Sequence, residues 1–357
     1  MQQKLTHGGD WAGFEAEYGR PPLDFSANVS PLGVPWAVRR AVAKAARQAA
    51  RYPDPLCRRL TEALALHESV KQEQILCGNG AADLIFRVVL AKKPRAALVT
   101  APTFAEYGQA LETVDCRVKQ HMLTEENGFA VTPAILEEIT PELDMLFLCE
   151  PNNPTGALTE PDLLRKILER CAACGTLLVV DECFNDWLDD PAAHTLKGEL
   201  GRFSNLLILK AFTKLYAMAG LRLGYCLCGD EALLKAMARC GQPWAVSGPA
   251  QEAGLAALGR QHRYVARLRA VIQAERPWLT GQLADLGLRV LPGSANYLLL
   301  YSEKELASPL RKLGVLIRDC SNYPGLNKGW YRVAVRTRRE NRQLIAALRK
   351  VCGCENG

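Results

Sequence analysis

The chain has 357 residues, of which 48% are hydrophobic, and this composition is typical of a globular protein with a large buried core. The formal net charge is only +6, and the Lys and Arg residues are scattered, which argues against a role in binding nucleic acid or a membrane surface. No apolar run reaches the roughly 18 residues that span a bilayer, and the N-terminus lacks the apolar segment of a secretory signal, so we expect a cytoplasmic protein.

Residues 1–45 are irregular and rich in Gly and Pro, and a helix is expected to begin near Pro35. Proline suits the first turn of a helix because it has no backbone N–H to satisfy there. We interpret residues 1–45 as an N-terminal arm with part of a small domain, and such an arm could reach a neighbouring subunit.

From about Lys71 to Asp230, short apolar runs alternate with helix-like stretches, which predicts an α/β fold with a mostly parallel sheet covered by helices. The predicted strands are 96–100, 145–149, 176–180, 206–209 and 224–228. Polar or glycine-bearing residues follow each of the first four. Ligands collect at the carboxyl ends of strands in open α/β sheets, so the site is expected there, within a large domain of residues 46–245.

A second layer is predicted in residues 246–357. A helical stretch from about Gln251 to Leu286 leads into short strands at 295–301, 314–320 and 331–336. A final helix is expected from Arg339 to Val351. These elements predict a smaller α+β domain.

The thirteen cysteines are odd in number and lack repeated CxxC pairs, which argues against a disulfide framework and against a zinc site. Cys171 and Cys174 form one CxxC, and Cys352 and Cys354 form one CxC. Neither pair has a second half-site nearby. We therefore expect reduced thiols and no bound metal.

The segment KAFTKLYAMAGLRLGY contains Lys214 and, eight residues later, Arg222, in a setting almost free of other charge. Apolar neighbours disfavour the ammonium form of a lysine, and imine formation with an aldehyde needs such a lowered pKa. Lys210 is the rival candidate, but Lys214 has Thr213 beside it and Arg222 as a partner. Because an isolated lysine near an apolar run is more often a surface residue, the assignment depends on the neighbouring motifs.

Three other segments contain candidate binding residues. Asp181 ends a predicted strand and would need a cationic partner, such as a protonated pyridine nitrogen, unless it is a helix cap or a structural ion pair. Asn153 in EPNNPTG can donate to a ring hydroxyl, or the turn simply connects a strand to a helix. The loop CGNGAAD leads into a helix, where the backbone donors of Gly80, Ala81 and Ala82 can bind a phosphate.

The motifs NNPTG, VVDEC and TKLYAMAGLRLGY occur in the order and approximate spacing of the fold-type-I pyridoxal-phosphate family, which the chain closely resembles. The resemblance implies an aspartate-aminotransferase-like fold with pyridoxal 5'-phosphate as cofactor. It implies that Lys214 binds the cofactor covalently, that Asp181 pairs with the pyridinium nitrogen, and that Asn153 contacts the ring hydroxyl. It also implies that Arg222 binds the cofactor phosphate through two hydrogen bonds.

The same resemblance assigns other positions. Phe104 matches the aromatic residue that stacks on the cofactor ring. Tyr52 in RYPDP matches a tyrosine that reaches the cofactor phosphate of the partner subunit in the histidinol-phosphate aminotransferase branch, so a homodimer with shared active sites is implied. Phe184 stands where many aminotransferases have a tyrosine, and Ala211 replaces a Ser or Thr that contacts the cofactor phosphate, for which Thr213 can compensate.

Within this family the chain is most similar to the threonine-phosphate decarboxylases of cobalamin biosynthesis, over nearly its whole length. The segments THGGD, LDFSANVSPLG, RYPDP, NYPGL and WYRVAVR carry this resemblance. It implies the conversion of L-threonine O-3-phosphate to (R)-1-amino-2-propanol O-2-phosphate. The residues that it implies for binding this phosphorylated amino acid are His7, Gly8, Gly9, Asn28, Asn153, Arg318 and Arg332.

Several alternatives stay open. A histidinol-phosphate aminotransferase or a related transaminase would have the same fold and the same lysine. A serine-phosphate decarboxylase would differ only by pocket space for one methyl group, which contributes about 1 kcal/mol. A catalytically idle binding module would lack the visible absorption of a bound cofactor. Arg318 and Arg336 could also be surface charges on a strand.

Overall fold

A computed structural model gives the structure of the protein and describes residues 7–259 and 261–353. Cys354, one member of the CxC pair, lies outside the described residues. Within them, no helix is both long enough and apolar enough to cross a membrane.

The N-terminal segment is less irregular than its composition indicates. A helix, α1 (Trp11–Tyr18), precedes the short strand β1 (Leu23–Asp24), so the chain before Pro35 is not irregular throughout. The Asp10 side chain caps α1 by accepting from the backbone N–H of Gly13, and Gly19 ends the helix at a φ of 64°. The helix expected near Pro35 is confirmed as α2 (Trp36–Ala46).

The large sheet has seven strands, preceded by α3 (Arg58–Glu68), and their order across the sheet is β2-β8-β7-β6-β5-β3-β4. Strand β8 is antiparallel to both of its neighbours, whereas the remaining pairs are parallel. In chain order the strands are β2 (Ile75–Gly78), β3 (Ala96–Ala101), β4 (Arg117–Met122), β5 (Met145–Cys149), β6 (Leu177–Asp181), β7 (Leu206–Ala211) and β8 (Gly224–Cys228).

Helices pack on both faces of this sheet. They are α4 (Ala81–Lys92), α5 (Glu106–Glu112), α6 (Ile135–Glu138), α7 (Pro161–Cys174), α8 (Phe212–Leu215) and α9 (Glu231–Cys240). Along β5, Leu146 and Leu148 belong to the hydrophobic cluster that includes Leu164 of α7, whereas Phe147 belongs to the cluster that includes Leu84 of α4. Because neighbouring strand residues point to opposite faces, both faces of β5 are buried, which explains its uninterrupted apolar run.

The C-terminal part builds a four-stranded antiparallel sheet in the order β12-β13-β10-β9, while β1 pairs in parallel with β11. The elements are α10 (Gly248–Gly259), α11 (Gln261–Ala284), β9 (Arg289–Val290), β10 (Tyr297–Tyr301), α12 (Ala307–Lys312), β11 (Val315–Leu316), β12 (Arg318–Asp319), β13 (Trp330–Ala334) and α13 (Arg338–Cys352). Short 3-10 helices complete the chain at Gln72–Gln74, Glu125–Asn127, Asn185–Trp187, Lys197–Glu199 and Ala219–Leu221. The division into an arm and two domains at residues 45 and 245 stays a prediction.

Candidate active site

One cavity lies where the carboxyl ends of the parallel strands face the small sheet and the N-terminal arm. Most of the residues that the sequence singles out line this cavity. They are His7, Gly8, Asn28, Ala81, Phe104, Asn153, Asp181, Thr213, Lys214, Arg222, Arg318 and Arg332.

Strand polarity explains this convergence. Phe104 follows β3, Asn153 follows β5, Asp181 is the last residue of β6, and Lys214 lies in α8 directly after β7. Arg222 comes just before β8, which runs in the opposite direction, so the start of β8 lies at the same edge as the ends of its parallel neighbours. The side chains that the sequence singles out therefore lie at the expected edge of the sheet.

Lys214 has the electrostatic setting that the sequence predicts. Burial lowers the pKa of its ammonium group, and the positive charges of Arg332 and Arg222 lower it further. Its Nζ atom lies 5.9 Å from the centroid of the Phe184 ring. A larger fraction of this lysine is therefore neutral and nucleophilic near neutral pH than of an ordinary lysine.

Lys210 has the opposite setting. Its Nζ atom lies 3.4 Å from a carboxylate oxygen of Asp186 and 3.7 Å from one of Glu68. Burial disfavours the charged form of Lys210, but the charges of Asp186 and Glu68 outweigh burial and raise its pKa. Lys210 is thus a paired structural cation, and it is not among the residues that line the cavity.

Asp181 is oriented by two donors. Its Oδ2 atom accepts from the Tyr107 hydroxyl at 2.7 Å, and its Oδ1 atom accepts from the backbone N–H of Cys183 at 3.0 Å. Tyr107 is fully buried and stacks on Phe147 with 4.9 Å between ring centroids. Tyr107 was not predicted as a site residue, because it lies in α5 and its contact with Asp181 depends on tertiary packing.

The start of α4 corrects one part of the phosphate-loop prediction. The backbone N–H of Gly80 donates to the Gly78 carbonyl at 2.9 Å, so it does not point to a ligand. A Cβ atom at Gly80 would lie 2.7 Å from the Arg222 Nη2 atom, and Gly80 has a φ of 85°. Gly80 therefore provides space for the Arg222 guanidinium. Ala81 and Ala82 are the first two residues of α4 and line the cavity. Their backbone N–H groups have no acceptor within the helix, so they can donate to a ligand.

Arg318 and Arg332 are directly opposed partners in the antiparallel pair of β12 and β13. Both are buried, at 7% and 6% exposure, although like charges in this position repel each other. Arg332 donates to the Ser26 carbonyl at 2.8 Å and to the side-chain oxygen of Asn153, and Arg318 donates to the Asn322 side chain at 2.8 Å. These acceptors are neutral groups, and they orient the two guanidinium groups.

The N-terminal arm lines the cavity beside Arg318 and Arg332. In the orientation that satisfies its hydrogen bonds, Asn28 accepts from the Nη1 and Nε atoms of Arg332 at 3.2 Å. Gly8 packs closely, since a Cβ atom there would lie 2.4 Å from the Ser26 carbonyl oxygen. The Gly9 N–H donates to the Ser26 hydroxyl at 2.7 Å, so Gly9 positions the arm and is not placed among the lining residues.

Tyr52 lies away from this cavity. It is 81% exposed, and its ring stacks on Trp244 at 4.6 Å between centroids. Its contact with a partner subunit stays a prediction. The two positions that depart from the family pattern, Phe184 and Ala211, both line the cavity.

The cavity is also lined by three residues that were not predicted as site residues, namely Glu106, Cys149 and Tyr323. Across residues 7–259 and 261–353, no group of His, Cys, Asp and Glu side chains could hold a metal ion. Arg336, considered above as a possible surface charge on a strand, lies between β13 and α13 and pairs with Glu340.

The chain is similar to known proteins over nearly its whole length. The family model for aminotransferases of class I and II matches residues 20–348. A threonine-phosphate decarboxylase of Salmonella typhimurium is 42% identical over 97% of this chain and 96% of its own length. The crystal structure of L-threonine-O-3-phosphate decarboxylase from Porphyromonas gingivalis superposes with a TM-score of 0.79 at 25% identity, covering 92% of this chain and 98% of that one.

A histidinol-phosphate aminotransferase from Clostridium acetobutylicum superposes with a TM-score of 0.86 at 25% identity, covering 93% of this chain and 99% of that one. The predicted α/β fold of the aminotransferase type is therefore confirmed.

Proposed function

The chain belongs to the aminotransferase class I and II family, and we propose that it uses pyridoxal 5'-phosphate to decarboxylate L-threonine O-3-phosphate. The product is (R)-1-amino-2-propanol O-2-phosphate, for cobalamin biosynthesis. The observation that carries this proposal is the buried, directly opposed pair of Arg318 and Arg332, which faces the same cavity as Lys214. Two buried like charges favour an anionic substrate between them.

The cavity also fits the cofactor. Arg222 and the first N–H groups of α4 would hold its phosphate, because Gly80 leaves room for the guanidinium and the helix start favours an anion. Lys214 would bind its aldehyde, Asp181 would pair with its ring nitrogen, and Phe104 would stack on its ring. Thr213 and the amide nitrogen of Asn153 are the remaining donors assigned to it. When bound, the cofactor supplies an electron sink for the bond that breaks at the substrate α-carbon.

The residues of this chain decide which α-carbon bond is presented for cleavage. Orientation selects the reaction, and a substrate with two anionic groups offers two points at which to fix it. Arg318, Arg332 and His7, with Asn28 and Gly8 beside them, bind these groups. L-threonine O-3-phosphate carries both a carboxylate and a phosphate, whereas histidinol phosphate has no carboxylate.

The histidinol-phosphate aminotransferase activity is the second candidate, and the higher TM-score of 0.86 to such an enzyme favours it. The 42% identity to the Salmonella decarboxylase favours decarboxylation. Serine phosphate differs from threonine phosphate by one methyl group, so it is the close competitor as a decarboxylation substrate.

The decisive experiment incubates the purified enzyme with threonine phosphate, serine phosphate, or histidinol phosphate plus 2-oxoglutarate. Carbon dioxide and keto-acid release are followed separately. We expect carbon dioxide from threonine phosphate without any keto acid. Strict dependence on 2-oxoglutarate, with no carbon dioxide released, would assign the chain to the aminotransferases.

The substrate phosphate should contribute strongly to specificity. Charge-assisted hydrogen bonds contribute roughly 1.5 to 3 kcal/mol each, so unphosphorylated threonine should react at least about a hundredfold more slowly in kcat/KM. Arg318→Ala should erase most of this discrimination while cofactor retention stays close to that of the wild type. Arg289→Ala, which removes an exposed arginine from β9 of the same sheet, is the matched control and should keep the discrimination.

We also propose a homodimer with shared active sites. Tyr52 is exposed and stacks on Trp244, and Trp36 and Leu56 are exposed as well. Large exposed apolar side chains favour an interface. Tyr52→Phe should weaken cofactor retention through the partner's site. A monomer with full activity would contradict this proposal.

A further inference from the structure

The cavity contains a carboxylate that the proposed reaction does not use. Glu106 lies in the first turn of α5 and lines the cavity. Its Oε1 atom is 3.1 Å from the Nε2 atom of His7. Its Oε2 atom is buried and has no hydrogen-bond partner among the described residues. A buried carboxylate oxygen without a donor is costly, so this side chain has a role that the substrate-free contacts do not explain.

The charged groups around this pair come from several elements. Burial raises the pKa of Glu106 to about 7, against the opposing charges of Lys214 and Arg318. Burial lowers the pKa of His7, as do the nearby cations. Near neutral pH the imidazole is therefore mostly neutral, and the carboxyl is divided between its neutral and its ionised form. The groups that face the pair are Lys214 of α8, Asp181 of β6, Arg318 of β12 and Arg332 of β13.

We propose that Glu106 occupies the place of a substrate anion against His7 in the substrate-free enzyme and takes up a proton when the substrate's phosphate group binds there. This proposal rests on the function proposed above, in which His7 and Arg318 bind the substrate. It makes Glu106 a specificity-determining residue that couples substrate binding to pH.

The physical reason is charge repulsion in a buried cavity. A phosphate beside Glu106 brings negative charge close to a carboxylate, and a nearby like charge disfavours the ionised form. Protonation removes the repulsion and converts an acceptor into a donor, so the carboxyl can donate to the phosphate while His7 does the same. Above the pKa of the free carboxyl, every binding event must therefore take up a proton from solvent.

The first test measures proton uptake directly. Inorganic phosphate is titrated into the cofactor-loaded enzyme at pH 8 in two buffers with different ionisation enthalpies, and the difference in heat gives the protons taken up. We expect about one proton per phosphate for the wild type and about none for Glu106→Gln. Glu112→Gln, an exposed carboxylate on the same helix, is the matched control and should keep the wild-type uptake.

The second test follows KM for threonine phosphate. The second pKa of a phosphate monoester is about 6, so the substrate phosphate is a dianion above neutral pH. With a free-enzyme pKa of about 7, KM of the wild type should rise about fivefold between pH 7 and pH 8. Glu106→Gln should lose this rise in KM, whereas Glu106→Asp, which keeps a titrating carboxyl, should retain it.

His7→Asn separates the proposal from a merely structural role. If Glu106 only anchored His7, then His7→Asn and Glu106→Gln would raise KM alike at every pH. We expect His7→Asn to weaken binding but to retain proton uptake, because Glu106 is still present.

Wild-type proton uptake or a wild-type KM profile in Glu106→Gln would overturn the proposal. So would the absence of proton uptake by the wild type. Failure of the wild type to release carbon dioxide from threonine phosphate would instead overturn the proposed function. The phosphate titration would still decide the role of Glu106 in that case, because it needs no turnover.

Discussion

Replacing Gly80 with alanine tests whether this residue serves Arg222 rather than the ligand directly. The added Cβ atom would lie 2.7 Å from the Arg222 Nη2 atom and 3.2 Å from its Cζ atom. Both are at the far end of a flexible side chain, so the guanidinium can swing aside and the fold survives. The displaced group would then no longer reach the position proposed for the cofactor phosphate.

The expected magnitude combines two costs. The backbone of Gly80 has a φ of 85° and a ψ of 165°, a region that is essentially restricted to glycine, and alanine there costs about 1 to 3 kcal/mol of stability. Losing one charge-assisted hydrogen bond to the phosphate costs roughly a further 1.5 to 3 kcal/mol of binding free energy. Cofactor affinity should therefore fall by about ten- to a hundredfold.

The assay is a titration of the cofactor-free protein with pyridoxal 5'-phosphate, followed by the visible absorption of the bound form, with Tm measured on the same samples. Gly19→Ala is the matched control, since Gly19 also has a positive φ, of 64°, but no atom within 4 Å of the added Cβ. It should lower Tm and leave cofactor affinity unchanged. Wild-type affinity in Gly80→Ala would refute the argument that this glycine makes room for Arg222.

Three more outcomes are expected. Lys210→Met should keep the visible absorption of the cofactor but lower the free energy of unfolding by about 3 to 5 kcal/mol, because a buried ion pair is broken. Lys214→Ala should lose the absorption and stay folded. The reverse pattern would exchange the roles of the two lysines. Tyr107→Phe removes one hydrogen-bond donor from the Asp181 carboxylate and should lower kcat by about ten- to a hundredfold in the carbon dioxide assay. An unchanged kcat would show that the Cys183 N–H alone is enough to orient Asp181. Burial raises the pKa of Glu150 from 4.5 to about 7. Between these pH values the folded state holds a proton that the unfolded state has lost. The free energy of unfolding should therefore fall by about 3 kcal/mol as pH rises from about 4.5 to 7. Glu150→Gln should remove this part of the decline between pH 5 and pH 8 in urea unfolding, and an identical decline in both proteins would assign it to other groups.

The central strands of the large sheet could be predicted because burial on both faces leaves a continuous apolar run in the sequence. Strand β4 could not, since five of its six residues are exposed or half-buried and its sequence RVKQHM has no such run. Helix α1 was missed because its polar and apolar residues are not segregated by face, and the helix depends on the Asp10 cap and on Phe14, which is fully buried.

The residues at strand ends could be predicted because strand polarity alone brings them to one edge. Tyr107 and Glu106 could not, since both act through tertiary contacts that a single sequence does not reveal. One contact is with Asp181, seventy-four positions along the chain, and the other is with the N-terminal arm. The Gly80 misassignment has a similar cause, because the direction of its N–H depends on the turn back to Gly78.

The two proposed anion sites of the cavity belong to different parts of the fold. Arg222 is fixed at the start of β8 in the large sheet, whereas Arg318 and Arg332 are fixed as partners in the small sheet. A substitution of Arg318 can therefore change how a substrate is oriented without removing a contact to the residues assigned to the cofactor, whereas Arg332 also donates to Asn153. Because orientation decides which α-carbon bond is broken, relatives with one fold and one lysine can carry out different reactions. Substrate preference in this chain should consequently respond to changes at Arg318, Arg332 and Glu106 more than to changes at Arg222.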